Sequence, residues 1–95
     1  MKMNCKEYIC RVCGYVYDEP VWVNGHGTFD MCLCCGVTFG YQDCLLKAIV
    51  KYRAEWIQNN CSWSFPKLRP EDWSFAEQYK NVPEKFKLNN EKISD

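Results

Sequence analysis

Hydrophobic residues in the middle of the chain recur with the spacing of one helix face. The stripe consists of Leu45, Ile49, Tyr52 and Trp56, widened by Leu46, Val50 and Ile57. Lys47, Lys51 and Glu55 occupy the other faces. This period of about 3.6 residues predicts an amphipathic helix over residues 44–59, with Asp43 as the expected N-cap.

A second, shorter helix is predicted near residues 75–81. Ser74 precedes it and Glu77 follows three residues later, which is the spacing of a capping box. Pro83 can begin one further turn. The last residues, 89–95, are polar and are predicted to form a frayed tail.

The first 43 residues have a different pattern, with many good strand formers and several turn residues. Residues 7–18 and residues 37–41 are rich in Tyr, Val, Ile and Phe, and each predicts a short strand. Between them, residues 24–27 read Asn-Gly-His-Gly, which is typical of a hairpin turn. The long helix, the short helix and these strands together predict an α+β domain.

Four cysteines provide the strongest candidate chemistry of the chain. Cys10 and Cys13 form one C-x-x-C pair, Cys32 and Cys35 form a second, and 18 residues lie between the pairs. This spacing is typical of a four-cysteine tetrahedral metal site. Glycine follows each pair and allows a tight turn. We call residues 10–14 the first knuckle and residues 32–36 the second knuckle, and we expect them to share one metal ion.

The remaining cysteines and the single histidine are weaker candidates. Cys34 lies inside the second knuckle and is interpreted as a neighbour of the metal site rather than a ligand. Cys5, Cys44 and Cys61 are interpreted as small buried hydrophobic residues. His26 lies between two glycines and is expected to be a solvated turn residue. No Cys–His spacing supports a catalytic pair, so we do not expect an enzyme.

Composition and charge narrow the functional class. Twelve basic and twelve acidic side chains give a formal charge of zero, and four thiolates around one divalent ion would add a charge of about −2. A dedicated nucleic-acid binder usually has a clear basic excess, so nucleic acid is an unfavoured partner. The N-terminus has no signal-peptide pattern and no apolar run reaches membrane-spanning length, so we expect a cytoplasmic protein with reduced thiols.

Aromatic residues are abundant, with four Trp, six Tyr and five Phe. We expect Trp56, Trp63, Phe65 and Trp73 to be mainly core residues, with one or two of them facing a partner. An exposed patch that combines aromatic and charged residues could come from residues 61–73 or from residues 21–28. The sequence does not choose between these two segments.

Two resemblances extend this interpretation. The first knuckle with its flanks, Tyr8 to Asp18, resembles rubredoxins, which carry electrons on one iron ion. A longer resemblance covers nearly the whole chain and is to the small bacterial cysteine-rich CPCC family. It rests on these positions: Tyr8, Cys10, Cys13, Gly14, Tyr15; Asp18-Glu19-Pro20; Cys32, Cys34, Cys35, Gly36; Phe39-Gly40-Tyr41, Asp43; Tyr52-Arg53, Trp56-Ile57; Trp63; Pro70, Trp73; Gln78 and Asn81. Arg11 and Leu33 depart from it, because proline is usual at both positions.

The resemblance implies a toxin-immunity function, since some CPCC members are thought to be immunity proteins of bacterial toxin systems. We therefore expect one domain over residues 1–95, with a zinc-ribbon or rubredoxin-like metal unit at 1–43, a helical part at 44–88 and the tail at 89–95. The expected function is binding of a protein partner, with a toxin encoded beside this protein as the specific candidate and with structural zinc. The alternatives are a rubredoxin-like iron electron carrier and a zinc-ribbon nucleic-acid-binding module.

Overall fold

The computed structural model describes residues 5–88, and the predicted tail at 89–95 lies outside this range. It has a mixed α+β fold with two strands, β1 (Trp22–Val23) and β2 (His26–Gly27), and two α-helices, α1 (Leu46–Gln58) and α2 (Phe75–Tyr79). Three short 3₁₀ helices cover Cys5–Tyr8, Pro66–Leu68 and Glu84–Phe86. The last of these begins after Pro83, as predicted.

The hairpin predicted at residues 24–27 is confirmed. Strands β1 and β2 are antiparallel, and Val23 pairs with His26 across a two-residue turn. Asn24 and Gly25 in that turn both have positive φ angles, 51° and 83°. Two positive φ angles are typical of the type I′ turn that matches the natural twist of a hairpin. His26 is exposed, in agreement with the prediction of a solvated turn residue.

The prediction of short strands at 7–18 and 37–41 is wrong. Each segment contributes only a single antiparallel pair, Ile9 with Val16 and Met31 with Thr38. The chain reverses so tightly at each knuckle that only the flanking residues meet. Before Ile9, the chain winds into a 3₁₀ helix and cannot extend the pairing.

Helix α1 is confirmed but begins later than predicted, because Asp43 is not its N-cap. The N-cap is Leu45, which provides no side-chain hydrogen bond. Asp43 is instead fully buried, where its carboxylate accepts hydrogen bonds from Trp22 Nε1 at 3.1 Å and Gly40 N at 2.7 Å. Two hydrogen bonds in the interior stabilise this carboxylate more than capping the helix would. The free N–H groups at the exposed start of the helix can bond to water instead.

The C-terminus of α1 is closed by main-chain hydrogen bonds. Cys61 N donates to Trp56 O at 3.0 Å, and Asn60 N donates to Ile57 O at 3.0 Å. These two bonds, with Asn60 at φ 65°, form a Schellman motif. Helix α2 begins as predicted, since the Ser74 side chain accepts a hydrogen bond from Glu77 N.

The core joins the two knuckles to the helices through aromatic rings. Edge-to-face contacts link Tyr15 with Trp63, Trp63 with Trp73, and Trp56 with Phe75. Trp56 and Trp63 are buried and Trp73 is half-buried, as expected for core residues. Phe65 does not join them, because 45% of its surface is exposed.

Candidate metal centre

The four predicted ligand cysteines lie together in the interior. The thiols of Cys10, Cys13, Cys32 and Cys35 are buried, and their sulfur atoms all lie within 4.8 Å of one another. Cys10 Sγ is 3.7 Å from Cys35 Sγ, and Cys13 Sγ is 3.7 Å from Cys32 Sγ. Each of these two contacts joins a sulfur atom of the first knuckle to a sulfur atom of the second knuckle.

These distances fit a single tetrahedral ion. Four sulfur atoms about 2.3 Å from a common ion lie about 3.8 Å from one another. A disulfide would require about 2.05 Å, and all four cysteines are free. The four thiols are therefore close enough to hold a metal ion.

The two knuckles have the same main-chain geometry. In the first, Cys10 N donates to Tyr15 O at 2.9 Å, and in the second, Cys32 N donates to Val37 O at 2.8 Å. The glycine that ends each knuckle, Gly14 or Gly36, donates at 3.0 Å to the carbonyl of the first cysteine. Each pair of ligands is thus presented by the same turn, as the shared C-x-x-C-Gly pattern predicts.

Both glycines adopt a backbone conformation that other residues rarely take. Gly14 has a φ of 86° and Gly36 a φ of 85°. Each is also covered by the helical part, since a Cβ on Gly14 would lie 2.3 Å from the main-chain oxygen of Gln78. A Cβ on Gly36 would lie 2.5 Å from Ser64 Oγ. Glycine is required here for both the turn and the close approach.

The helical part binds the outer face of the first knuckle through side-chain donors. Arg53 Nε donates to Val12 O at 2.7 Å, and Arg53 Nη2 donates to Arg11 O at 2.9 Å. Gln78 Nε2 donates to Cys13 O at 2.9 Å, and Asn81 Nδ2 donates to Gly14 O at 3.1 Å. With the bond from Gly14 N to Cys10 O, every carbonyl of the first knuckle has a donor.

The second knuckle is held mainly by main-chain donors. Ser64 N donates to Cys34 O at 2.9 Å, and Phe65 N donates to Leu33 O at 3.0 Å. Tyr52 OH donates to Cys35 O at 3.1 Å. These bonds hold the second knuckle against the helical part and fix the orientation of its cysteines.

Within the four-thiol cluster, Cys32 Sγ accepts hydrogen bonds directly. Tyr17 OH donates to Cys32 Sγ at 3.2 Å, while the same hydroxyl accepts a hydrogen bond from Leu33 N at 2.9 Å. Cys34 N lies 3.4 Å from Cys32 Sγ. Donors aimed at sulfur stabilise the thiolate form, which is the form that binds metal.

The four thiols differ in acidity. Burial raises the pKa of Cys10, Cys13 and Cys35 above its usual value. Burial also acts on Cys32, but the donors around it, the three other thiols and Tyr17, outweigh it and lower its pKa well below the usual value. The hydrogen bonds that converge on Cys32 Sγ therefore favour its thiolate form.

The tyrosines at the site are kept neutral. Burial, followed by the nearby Cys32 charge, raises the pKa of Tyr17 far above its usual value. Burial and the neighbouring Cys35 raise the pKa of Tyr52 to about 12. Both hydroxyls therefore remain hydrogen-bond donors at neutral pH.

The other cysteines are in three different environments. Cys34 is fully buried, and its sulfur lies 3.5 Å from Gln78 Nε2, outside the four-thiol cluster. The interpretation of Cys44 as a buried hydrophobic residue is wrong, since Cys44 is exposed. Cys61 is half-buried and packs against the hydrophobic core. Cys44 lies beyond Asp43 at the entrance to α1, where the chain turns toward solvent, and its thiol donates to Gly40 O at 3.2 Å. The Cys5 side chain lies outside the described part of the chain.

Arg11 stands at a position where proline is usual in the CPCC family, and it forms contacts that the sequence did not predict. Its guanidinium carbon lies 3.6 Å from the centre of the Trp22 ring and 4.5 Å from the centre of the Phe86 ring. Arg11 Nη1 also donates to Asp43 O at 3.1 Å. Arg11 thus joins the first knuckle to β1, to the start of the helical part and to the last 3₁₀ helix.

Sequence reasoning missed three residues that support the site, of which Arg53 is the least expected. It is fully buried, although arginine is usually an exposed residue. Arg53, Gln78 and Asn81 are among the positions on which the resemblance to the CPCC family rests. That resemblance could have marked them as important, but it assigns them no role. The structure shows that all three donate to the main chain of the first knuckle.

None of the helices between residues 5 and 88 combines the length and apolar character that crossing a bilayer requires.

Two curated bacterial proteins are similar to this chain. It is 32% identical over 85 residues to the uncharacterized protein YozI of Bacillus subtilis (strain 168), and the match covers 70% of each protein. It is 31% identical over 84 residues to the uncharacterized protein YoaQ of the same strain, covering 70% of this chain and 71% of YoaQ. No protein-family model matches the chain, and no solved structure matches it. At this identity and coverage, the chain belongs to the family that includes YozI and YoaQ.

Proposed function

We propose that this protein is a metal-stabilised protein-binding module that acts in the bacterial cytoplasm as the immunity protein of a toxin. One structural zinc ion would be held by Cys10, Cys13, Cys32 and Cys35. Zinc suits four thiolates in a tetrahedral arrangement, and four protein ligands leave no open position for a catalytic water. The site would have the zinc-ribbon or rubredoxin-like form predicted from the two knuckles.

The observation that carries the metal proposal is the buried four-thiol cluster. Four thiols meet within 4.8 Å, and donors from the helical part satisfy the carbonyls of both knuckles. Burial raises the pKa of Cys10, Cys13 and Cys35, so a metal-free cluster would crowd mainly protonated thiols together in the interior. A divalent ion provides a reason for this arrangement.

The protein-binding proposal rests on the surface and on the resemblance. Large apolar side chains are exposed on a scaffold that the knuckles hold rigidly, among them Phe29, Tyr41, Leu45, Phe65 and Leu68. A contiguous exposed apolar patch is typical of an interaction site, and among these residues Phe65 and Leu68 line the same surface cavity. Toxin neutralisation in particular is supported by the resemblance to the CPCC family.

Two measurements test the proposal. Mass spectrometry under native conditions should find one zinc ion per chain in protein purified without added metal. If a toxin is encoded beside this protein, expression of that toxin should stop growth, and co-expression of this protein should restore it. A neighbouring toxin that kills equally in both cases, together with no direct binding between the two purified proteins, would contradict the immunity function.

A rubredoxin-like electron carrier is the second candidate. The observation that favours it is the hydrogen bonding around Cys32 Sγ, because donors to sulfur also tune the reduction potential of an iron–thiolate site. Absorption spectra separate the two candidates. Iron would give visible charge-transfer bands and a reversible redox couple, whereas zinc gives neither.

A further inference from the structure

A surface cavity lies between the C-terminal end of α1 and the segment that leads into α2. Its volume is about 250 Å³. Ile57, Cys61, Trp73 and Phe75 form its apolar part, and Asn60 and Arg69 contribute polar groups. A cavity of this size accommodates one or two side chains of a partner rather than a large cofactor.

The cavity has one positive charge and no negative one among the described residues that line it. That charge is Arg69, whose guanidinium carbon lies 5.4 Å from the centre of the Trp73 ring. No carboxylate within residues 5–88 forms an ion pair with Arg69. An exposed arginine over a tryptophan ring is a common anchor for a partner's carboxylate, because the guanidinium can donate two parallel hydrogen bonds to it.

The walls of the cavity are fixed by the knuckles. Trp73 Nε1 donates to Gln78 Oε1 at 2.7 Å, and Gln78 Nε2 donates to Cys13 O at 2.9 Å. On the opposite side, Asn60 and Cys61 are both held at positive φ angles, 65° and 52°. Two consecutive non-glycine residues in this conformation indicate a segment that its surroundings hold in place. A partner would therefore bind a preformed surface, which reduces the entropy cost of binding.

We propose that this cavity is the docking site for an acidic segment of the partner protein. A carboxylate of that segment pairs with Arg69, and an adjacent apolar side chain fills the space between Ile57 and Trp73. The inference rests on the proposed protein-binding function and assigns it a surface. The sequence left two segments, residues 61–73 and residues 21–28, as candidates for the partner-binding patch, and this proposal selects residues 61–73.

Nucleic acid fits this surface less well. Glu71 and Asp72 are exposed and follow Arg69 closely in the chain, so a polyanionic backbone would meet repulsion beside the single cation. A short peptide with one carboxylate meets less of that repulsion than a polyanion does, and its apolar side chain can pack on the apolar walls of the cavity.

A peptide-display selection tests the proposal directly. Random heptapeptides would be selected on the metal-loaded protein, and the strongest binder would be synthesised with a fluorescent label for anisotropy measurements. We expect Asp or Glu next to Phe, Leu or Trp in the selected peptides. For Arg69→Glu, the Kd of the selected peptide should increase by at least about tenfold, which corresponds to about 1.4 kcal/mol, and Arg69→Gln should weaken binding less.

Lys47→Glu is the matched control, because Lys47 is an exposed cation on α1 and does not line the cavity. It makes the same change in net charge and should leave the Kd within about twofold. Metal content and thermal unfolding of each variant establish that it is folded. Selected peptides without acidic residues, or equal binding by Arg69→Glu, would overturn the proposed site, as would Arg69-dependent binding of a single-stranded oligonucleotide in place of any peptide.

The same variants separate this proposal from the immunity function. If Arg69→Glu still neutralises a neighbouring toxin as well as the unmodified protein does, the docking site is wrong and the immunity function stands. If the unmodified protein binds acidic peptides through Arg69 but neutralises no toxin, the docking site stands and the immunity function is wrong.

Discussion

Arg53 Nε donates a hydrogen bond to the carbonyl oxygen of Val12 at 2.7 Å, joining residues 41 positions apart. The same guanidinium reaches Arg11 O at 2.9 Å and Phe86 O at 2.8 Å. One buried side chain on α1 therefore holds the first knuckle and the last 3₁₀ helix together. Hydrogen bonds from α1 therefore join the helical part to the metal unit.

The Arg53→Met variant should be strongly destabilised. Three carbonyl acceptors would lose their donor, and each buried unsatisfied group costs about 1–3 kcal/mol, so we expect a loss of about 3 kcal/mol or more. Thermal unfolding of the metal-loaded protein measures this. Lys51→Met is the control on the same helix, because Lys51 pairs with Glu55 at the exposed surface, an ion pair worth about 0.3–0.5 kcal/mol. Equal midpoints for the two variants would contradict the role of Arg53.

Removal of one ligand cysteine should unfold the whole described domain. Apparent zinc binding in such sites contributes about 10–16 kcal/mol, which is comparable to the total stability of about 5–15 kcal/mol of a domain. We expect Cys13→Ser to lose the metal and most of its helical circular dichroism, because Gln78 and Arg53 bind the first knuckle directly. Cys44→Ser, at an exposed thiol, should keep both. Retention of a stable helix by metal-free Cys13→Ser would show that the helical part folds alone.

Alanine substitution of three glycines with nearly equal φ angles should destabilise the protein to different extents, according to how closely other atoms pack against each glycine. Gly14, Gly25 and Gly36 have φ angles of 86°, 83° and 85°, so alanine should cost about 1–2 kcal/mol from backbone strain at each. Gly25→Ala meets nothing within 4 Å and should show this cost alone. Gly36→Ala meets a movable serine hydroxyl and should cost more. Gly14→Ala meets the Gln78 carbonyl and should cost most. Equal unfolding midpoints for the three variants would contradict the packing of the helical part on the knuckles.

The Arg11→Ala variant should be less stable than Leu33→Ala, although the two positions are equivalent in the two knuckles. Arg11 loses its stacking on Trp22 and Phe86, for which each cation–π contact contributes about 0.5–1 kcal/mol or more. Urea unfolding of the metal-loaded variants compares them. If Arg11→Ala were as stable as the unmodified protein, the stacked arginine would have no structural role.

Metal affinity should increase with pH through the neutral range. Burial raises the pKa of Cys10, Cys13 and Cys35, so these thiols keep their protons near neutral pH and must release them to bind an ion. Protons compete more strongly as the pH falls, and the affinity should drop by up to about tenfold per released proton and pH unit. Competition with a chromophoric chelator, corrected for the chelator's own protonation, measures this. An affinity that does not change with pH would mean that the thiols are already ionised in the metal-free protein.

The local elements could be predicted from sequence because each depends on neighbouring residues. The Asn24-Gly25 turn, the Ser74 cap of α2 and the turn after Pro83 follow from φ preferences and short-range hydrogen bonds. The burial of Ile49 and Trp56 in α1 follows from the helical period. The same reasoning failed for the strands at 7–18 and 37–41, since strand formation requires a partner strand and the tight knuckles allow only one paired residue each.

By itself, the sequence determined which thiols lie together, because the C-x-x-C-Gly spacing fixes the geometry of each pair within a single turn. Only the tertiary structure decided what supports that cluster. Three outcomes depend on contacts between distant segments. Arg53 is buried, Asp43 is an interior hydrogen-bond acceptor instead of the predicted helix cap, and Phe65 is exposed. A charged side chain becomes a core residue only when remote carbonyl oxygens satisfy its donors, and those partners have no local signature in the chain.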